Sequence, residues 1–421
     1  MKAMDYKIRV IDQISDLPKE HWNSLVKDAG PFLAYDFLSA MEESGCCGDK
    51  TGWIPCHIVV YKADKLEIKT QPAIVIPGYL KTHSYGEYVF DHAWANAYHQ
   101  HGVDYYPKWI AAIPFTPVTG PRILTHPNTC IDSALIEDIE HTITHYVFSV
   151  YGAHLSSFHW LFPDADTITS LPENSGFLER YSVQFQWHNY DYTDFNDFLA
   201  ALTSRKRKEI KKLRRTHSEK GIRYSHKTGN AIDPTTLAFF IKCYQATYLK
   251  RSGHEGYLNA VFFEKLIAKM SENILIVTAF EYDTPVASAI FFYDGTGLYG
   301  RYWGSVKEIS GLHFGCCYFE GIAFAIKQQL PLFNPGTQGE HKILRGFEPV
   351  YCRSKHKLCD RRFHQAVAHF LQQEKRHMTN YFNQARNALP FNMKFVPTLK
   401  TTSVTSPDDD THYYNEKTYE T

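Results

Sequence analysis

Apolar positions along the chain recur at two spacings, and the alternation between them predicts its elements. Residues 18–27 (PKEHWNSLVK) and 31–44 (PFLAYDFLSAMEES) carry the helical spacing, each with a proline near its start. Residues 56–62 (CHIVVYK) and 70–76 (TQPAIVI) read as strands around a polar turn. An aromatic, loop-rich stretch runs from Tyr79 to Leu124, and a helix at 132–151 and a strand at 154–162 follow it. The polar segment 163–177, with two prolines, predicts an exposed linker.

Beyond that segment, VQFQWHNY reads as a strand and 194–220 as one long helix, with Gly221 suited to its C-terminal cap. A strand, IRYSHKT, and helices at 234–251 and 259–270 come next. Strands at 273–281, 285–293 and 297–304 form a meander with polar turns. A helix at 312–329, a short strand PLFNPG and a helix at 362–386 complete the pattern. Both halves run helix-then-meander without a clean sequence repeat. The expected division is a first domain at 1–165 and a second at 178–390. The polar segment 396–421 reads as a disordered tail.

Composition narrows the function classes. At 421 residues the chain is too long for one ordinary core. Lys+Arg and Asp+Glu both total 45, so it is not a general polyanion binder, and DNA is not an expected partner. Nine scattered cysteines without a CxxC point to a reduced compartment, and no metal site is expected. The N-terminus lacks the apolar core of a signal peptide, and no apolar run reaches membrane-spanning length. A cytoplasmic protein is the expectation, with contact at a membrane surface left open. Walker A, GxSxG and HExxH motifs are absent.

Five constellations carry candidate chemistry. In LHFGCCYFEGIAFAI, an α-helical period puts His313, Cys317, Glu320 and Phe324 on one face. His313 or Glu320 is the candidate base there. In NPGTQGEHKILRGFEP, the residues Gln338, Glu340, His341, Lys342 and Arg345 crowd between glycines after a short strand. Lys342 and Arg345 suit phosphate or carboxylate, and His341 is an alternative base. In GLYGRYWG, alternation gives Tyr299, Arg301 and Trp303 a shared face fit for a binding cleft. In SRKRKEIKKLRR, eight of the eleven residues from Arg205 to Arg215 are basic, Arg207 and Lys211 among them, which suits an anionic partner. The first-half aromatic block contributes His83, Tyr85, Glu87, Asp91 and Trp94 as a candidate substrate wall.

These segments, in this order from about Gly30 to Phe370, resemble the bacterial FemAB-like proteins described as peptidoglycan biosynthesis or recognition proteins. The resemblance implies tandem GNAT-like (acyl-CoA N-acyltransferase) domains, each a mixed, mainly antiparallel sheet flanked by helices. It implies transfer of an acyl or aminoacyl group to an amine, that of a peptidoglycan precursor or of a small molecule, or non-catalytic binding of such a precursor or another anionic ligand. The donor implied is aminoacyl-tRNA or acyl-CoA. RKRKEIKKLRR is similar to the basic helix of Fem-type transferases, and Lys342 with Gly346–Phe347 to their Phe-Lys…Gly loop. By that likeness Lys342 contacts phosphate or steadies developing negative charge. SVKEISGLHFG departs from the acetyl-CoA pattern, because it lacks the basic, closely spaced glycine loop that grips pyrophosphate.

Overall fold

The structure is a computed structural model and describes residues 6–26, 29–62, 71–126, 129–337 and 339–395. Gln338 and the segment 396–421 lie outside the described residues. The fold is a mixed α/β architecture that repeats one connectivity twice. The first copy opens with strand Tyr6–Ile11 and helices Lys19–Val26 and Tyr35–Glu43. A meander follows, then helix Ser133–Tyr151, then strand Ser157–Leu161, which returns parallel to Lys108–Ala111. The second copy opens with strand Ile222–Thr228 and helices Pro234–Ser252 and Ala260–Met270. Its meander is Ile274–Glu281, Thr284–Asp294 and Gly297–Ser305. A helical segment over 312–327 then leads to strand Leu332–Asn334, parallel to Gly297–Ser305. This strand–helix pair–meander–helix–strand order is the tandem GNAT arrangement.

Antiparallel strands Leu178–His188 and Glu348–Leu358 join the copies. Leu178–His188 pairs with Leu332–Asn334 of the second copy, and Glu348–Leu358 with Ser157–Leu161 of the first. One eleven-stranded sheet therefore runs through both halves, with a four-stranded sheet beside it in the first. The first-half strands pass between the two sheets at Cys56, just after Pro55, and at Pro77, just before Gly78.

Two apolar layers cover the second-half sheet. Along Ile274–Glu281 alternate residues face opposite cores. Ile274 and Ile276 meet the helices that carry Phe240 and Phe262, whereas Leu275 and Val277 meet Cys316, Phe319 and Ile322. Both faces are buried, which explains the nearly continuous apolar run.

Several elements differ from expectation. The helix expected at 194–220 is two, Phe195–Ala201 and Ser204–Glu219. Segment 163–177 carries helix Ala165–Ser170 and buries Ile168 and Leu171, so it is packed rather than an exposed linker. Most consequential is the helix expected at 312–329. It starts as Leu312–Phe314, widens into a π turn at Gly315–Phe319, and returns to α geometry at Glu320–Lys327.

Candidate functional site

The parallel pair that ends the second copy is short. Gly297–Ser305 pairs with Leu332–Asn334 only at Leu298↔Phe333 and Tyr299↔Asn334. Beyond that the two backbones part, and a cleft of about 630 Å³ opens between them. A bulge shapes its floor. Ile290 pairs with Tyr302 but Phe291 with Gly300, so Arg301 is the extra residue and its side chain joins the cleft wall.

The cleft is cationic and aromatic. Arg251, Arg301 and Lys342 line it together with Tyr302, Trp303 and Tyr318, and no Asp or Glu does so among the described residues. The loop after Leu332–Asn334 supplies one wall as a 3-10 turn, Glu340–Arg345, between Gly339 and Gly346, both at positive φ. Lys342 is 2% exposed and donates to the Gly336 carbonyl at 2.5 Å. Burial pushes its pKa down to about 7, the Cys317 thiol works against that fall, and Arg301 adds to it.

Two imidazoles stand beside it. His313 lies 4.6 Å from the Trp303 ring and 5.1 Å from that of Tyr318, centre to centre. Burial, then His341 and the nearby cations, hold His313 down to about 3, so it is neutral and a weak base. His341 shares a 2.8 Å hydrogen bond between its Nε2 and the Tyr318 hydroxyl. Its pKa is also lowered, by burial first and then by Arg345 and Lys342. Burial raises the Tyr318 phenol, which stays protonated at neutral pH.

A second cavity of about 1020 Å³ lies on the other side of His313, at the loop that precedes the π-turned helix. Thr247, Arg251, Trp303 and His313 belong to both cavities. Two openings therefore converge on one wall.

The remaining predicted residues distribute as follows. Glu320 is not part of the cleft. It pairs with His226 Nε2 at 2.9 Å and Arg214 at 3.7 Å on the outer side. The cause is the π turn, whose extra residue rotates everything after Phe319 by about 100° relative to an α-helix. Tyr299 packs its ring 5.4 Å from Phe32 and bonds Thr296 at 2.8 Å, away from the cleft. Glu340 accepts from the Tyr381 hydroxyl at the surface. Arg345 sits 3.4 Å over the Phe314 ring and donates to the His341 carbonyl, so it props the turn. Arg207 caps the preceding helix through the Leu199, Ala200 and Leu202 carbonyls, whereas Lys211 is exposed. In the first half, Glu87 and Asp91 are buried on Lys108. Trp94 is buried beside His356, and Tyr85 is 62% exposed.

Sequence reasoning passed over Tyr318, Arg251 and Tyr88, which also line the cleft. Tyr318 is one of many aromatics in its segment, and only the π turn singles it out. Arg251 ends an ordinary helix, LKRSG, with no local signal.

Fold and cleft define a tandem GNAT-type protein. The chain belongs to the FemAB-like family, described as peptidoglycan biosynthesis/recognition, whose model matches residues 13–393. No curated protein matches it. Among solved structures it is similar to FemX at 10% identity, with 86% of this chain and 100% of that chain covered and a TM-score of 0.49. L-PGS from Bacillus licheniformis has 10% identity, covers 85% and 96%, and gives a TM-score of 0.47. A tandem GNAT protein from the clavulanic acid biosynthesis pathway has 8% identity, 85% and 99% coverage, and a TM-score of 0.45. No helix among the described residues is long and apolar enough to cross a membrane.

Proposed function

We propose that the protein is an N-acyltransferase that moves an acyl or aminoacyl group onto an amine of a peptidoglycan precursor. The observation that carries this reading is the meeting of two cavities at Trp303 and His313, beside a buried lysine with no carboxylate partner among the described residues. One cavity takes the donor and the other the acceptor, and holding both in one place supplies much of the rate.

The amine nitrogen attacks the acyl carbonyl carbon, and the bond from that carbon to the donor's oxygen or sulfur breaks. The proton leaves the amine for the Tyr318 oxygen while the Tyr318 proton passes to His341 Nε2, 2.8 Å away. The same relay returns it to the leaving atom. Lys342 in its charged form steadies the oxyanion. No covalent enzyme intermediate is needed.

Two features favour aminoacyl-tRNA over acyl-CoA as donor. Beside the second cavity, Lys307 is paired with Glu281 and Lys250 with Glu308, so few cations are left there for a pyrophosphate. The helix Ser204–Glu219 packs on that loop, with His217 Nε2 2.9 Å from the Ser310 carbonyl. Its exposed Arg205, Lys208, Lys212 and Arg215 fall within about 80° of each other on a helical wheel, opposite buried Ile210. Such a stripe suits a phosphodiester backbone. The reading places the protein in the cytoplasm, where both substrates are made.

The test incubates the protein with a UDP-linked muropeptide and, in separate arms, a mixture of charged tRNAs or acetyl-CoA. Mass spectrometry of the muropeptide should show one added aminoacyl residue in the tRNA arm. Saturable binding of the muropeptide with no mass gain in either arm would identify a binding module instead.

A further inference from the structure

Tyr88 lines the cleft from the first-half aromatic block, and it does so from a backbone that resists it. Its φ is +60°, in the left-handed region that a bulky side chain rarely adopts. Such a conformation persists only where its surroundings over-determine it.

The surroundings are an ion cluster with no exit to solvent. Lys108 is 0% exposed, on the strand Lys108–Ala111. Its Nζ donates to Ser84 Oγ at 3.0 Å, to Glu87 Oε2 at 2.8 Å and to Asp91 Oδ2. All three acceptors lie on the one short loop that carries Tyr88, on both sides of it. Tyr105 adds a 2.7 Å bond to Asp91. Isolated buried charges are costly, and an ion cluster of this kind is weak evidence for stability alone. What it accomplishes here is to tie down the loop.

A second first-half residue repeats the pattern. Phe115 has φ +55°, and its carbonyl accepts from the cleft's Arg301 and, at 3.3 Å, from the Tyr302 hydroxyl. The Phe115 ring stacks 5.0 Å from that of Tyr257, another cleft residue. Two strained residues of the first half thus meet the second half's cleft.

We propose that Tyr88 is an acceptor-binding residue lent by the first repeat, and that Lys108 is the positioning residue that clamps its loop. The Tyr88 ring on the cleft wall suits the flat face of a sugar or similar ring, so the acceptor is engaged through a saccharide. The inference rests on the cleft being the transfer site described above.

The experiment uses the full chain with UDP-N-acetylmuramyl-pentapeptide as probe. Tyr88→Ala should raise KM for the probe about tenfold and leave kcat within about twofold, and Tyr88→Phe should keep most of the affinity. Lys108→Met should raise KM similarly and speed amide hydrogen exchange over 84–91 at least tenfold, with second-half protection unchanged. Glu87→Gln alone, which can still accept from Lys108, should keep exchange over 84–91 slow. An unchanged KM in Tyr88→Ala with wild-type turnover intact overturns the inference and leaves the transfer reading standing. A Lys108→Met protein with unchanged exchange over 84–91 overturns the clamp. A wild-type protein that neither binds nor modifies the probe overturns both.

Discussion

The Tyr318 hydroxyl and His341 Nε2 lie 2.8 Å apart although 23 residues separate them in the chain. One comes from a π turn, the other from a 3-10 turn. Neither geometry is the default for its sequence, and together they place the pair on the wall of a cleft that no Asp or Glu lines among the described residues. Replacing His341 by Ala or Tyr318 by Phe should each lower kcat by about 10²-fold, the range for loss of a general base. In the proposed relay the two act as one unit, so the double variant should lose little more than either single one. Steady-state kinetics of the three variants check this.

Glu320 gives the opposite expectation. Because it faces His226 and Arg214, Glu320→Gln should keep turnover within about threefold and cost about 1 kcal/mol of stability. Denaturant melts alongside kinetics separate the two effects.

Lys342 sets a pH dependence with a definite sign. Its pKa falls from 10.5 unfolded to about 7 folded. A lowered folded pKa contributes stability that is present above 10.5 and lost as pH falls through about 7. Removing the ammonium therefore stabilises the protein at pH 6, by up to roughly 5 kcal/mol before lost contacts are counted. Lys342→Met should melt higher than wild type at pH 6, with the gap closing toward pH 10. The same change should abolish turnover. In wild type, kcat/KM should fall as pH rises above about 7, and Lys342→Arg, which stays charged, should flatten that alkaline limb.

The basic helix divides into structural and surface parts. Arg207→Ala removes a donor from three backbone carbonyls, of which Leu199 and Ala200 keep a second partner, and should cost about 1 kcal/mol in denaturant melts. Lys208→Glu with Lys212→Glu, on the exposed stripe, should leave the melting temperature unchanged. It should weaken tRNA binding at least tenfold and reduce its salt dependence, as a filter-binding salt titration would show.

Much of the second half was legible from apolar spacing. The strands expected at 273–281, 285–293 and 297–304 are Ile274–Glu281, Thr284–Asp294 and Gly297–Ser305, because burial on both faces writes a continuous apolar run. The strand Glu348–Leu358, which ties the halves together, was not legible. Its buried positions include Ser354 and His356, and the basic residues between them hide the alternation. The crowding of His341 and Lys342 after a short strand pointed to a wall of the cleft. Glu320 misled because a helical wheel assumes an unbroken helix, and nothing in GCCYF announces a π turn. Arg207 misled because density of charge does not reveal which guanidinium is consumed by helix carbonyls.

The most direct test of the cleft's role is the mass gained by a UDP-linked muropeptide, measured side by side for wild type, His341→Ala, Lys342→Met and Glu320→Gln with charged tRNA as donor. The account predicts one added aminoacyl residue with wild type and Glu320→Gln, about a hundredfold slower gain with His341→Ala, and none with Lys342→Met. Loss of the product in Glu320→Gln, together with its survival at the wild-type rate in His341→Ala and Lys342→Met, would contradict it.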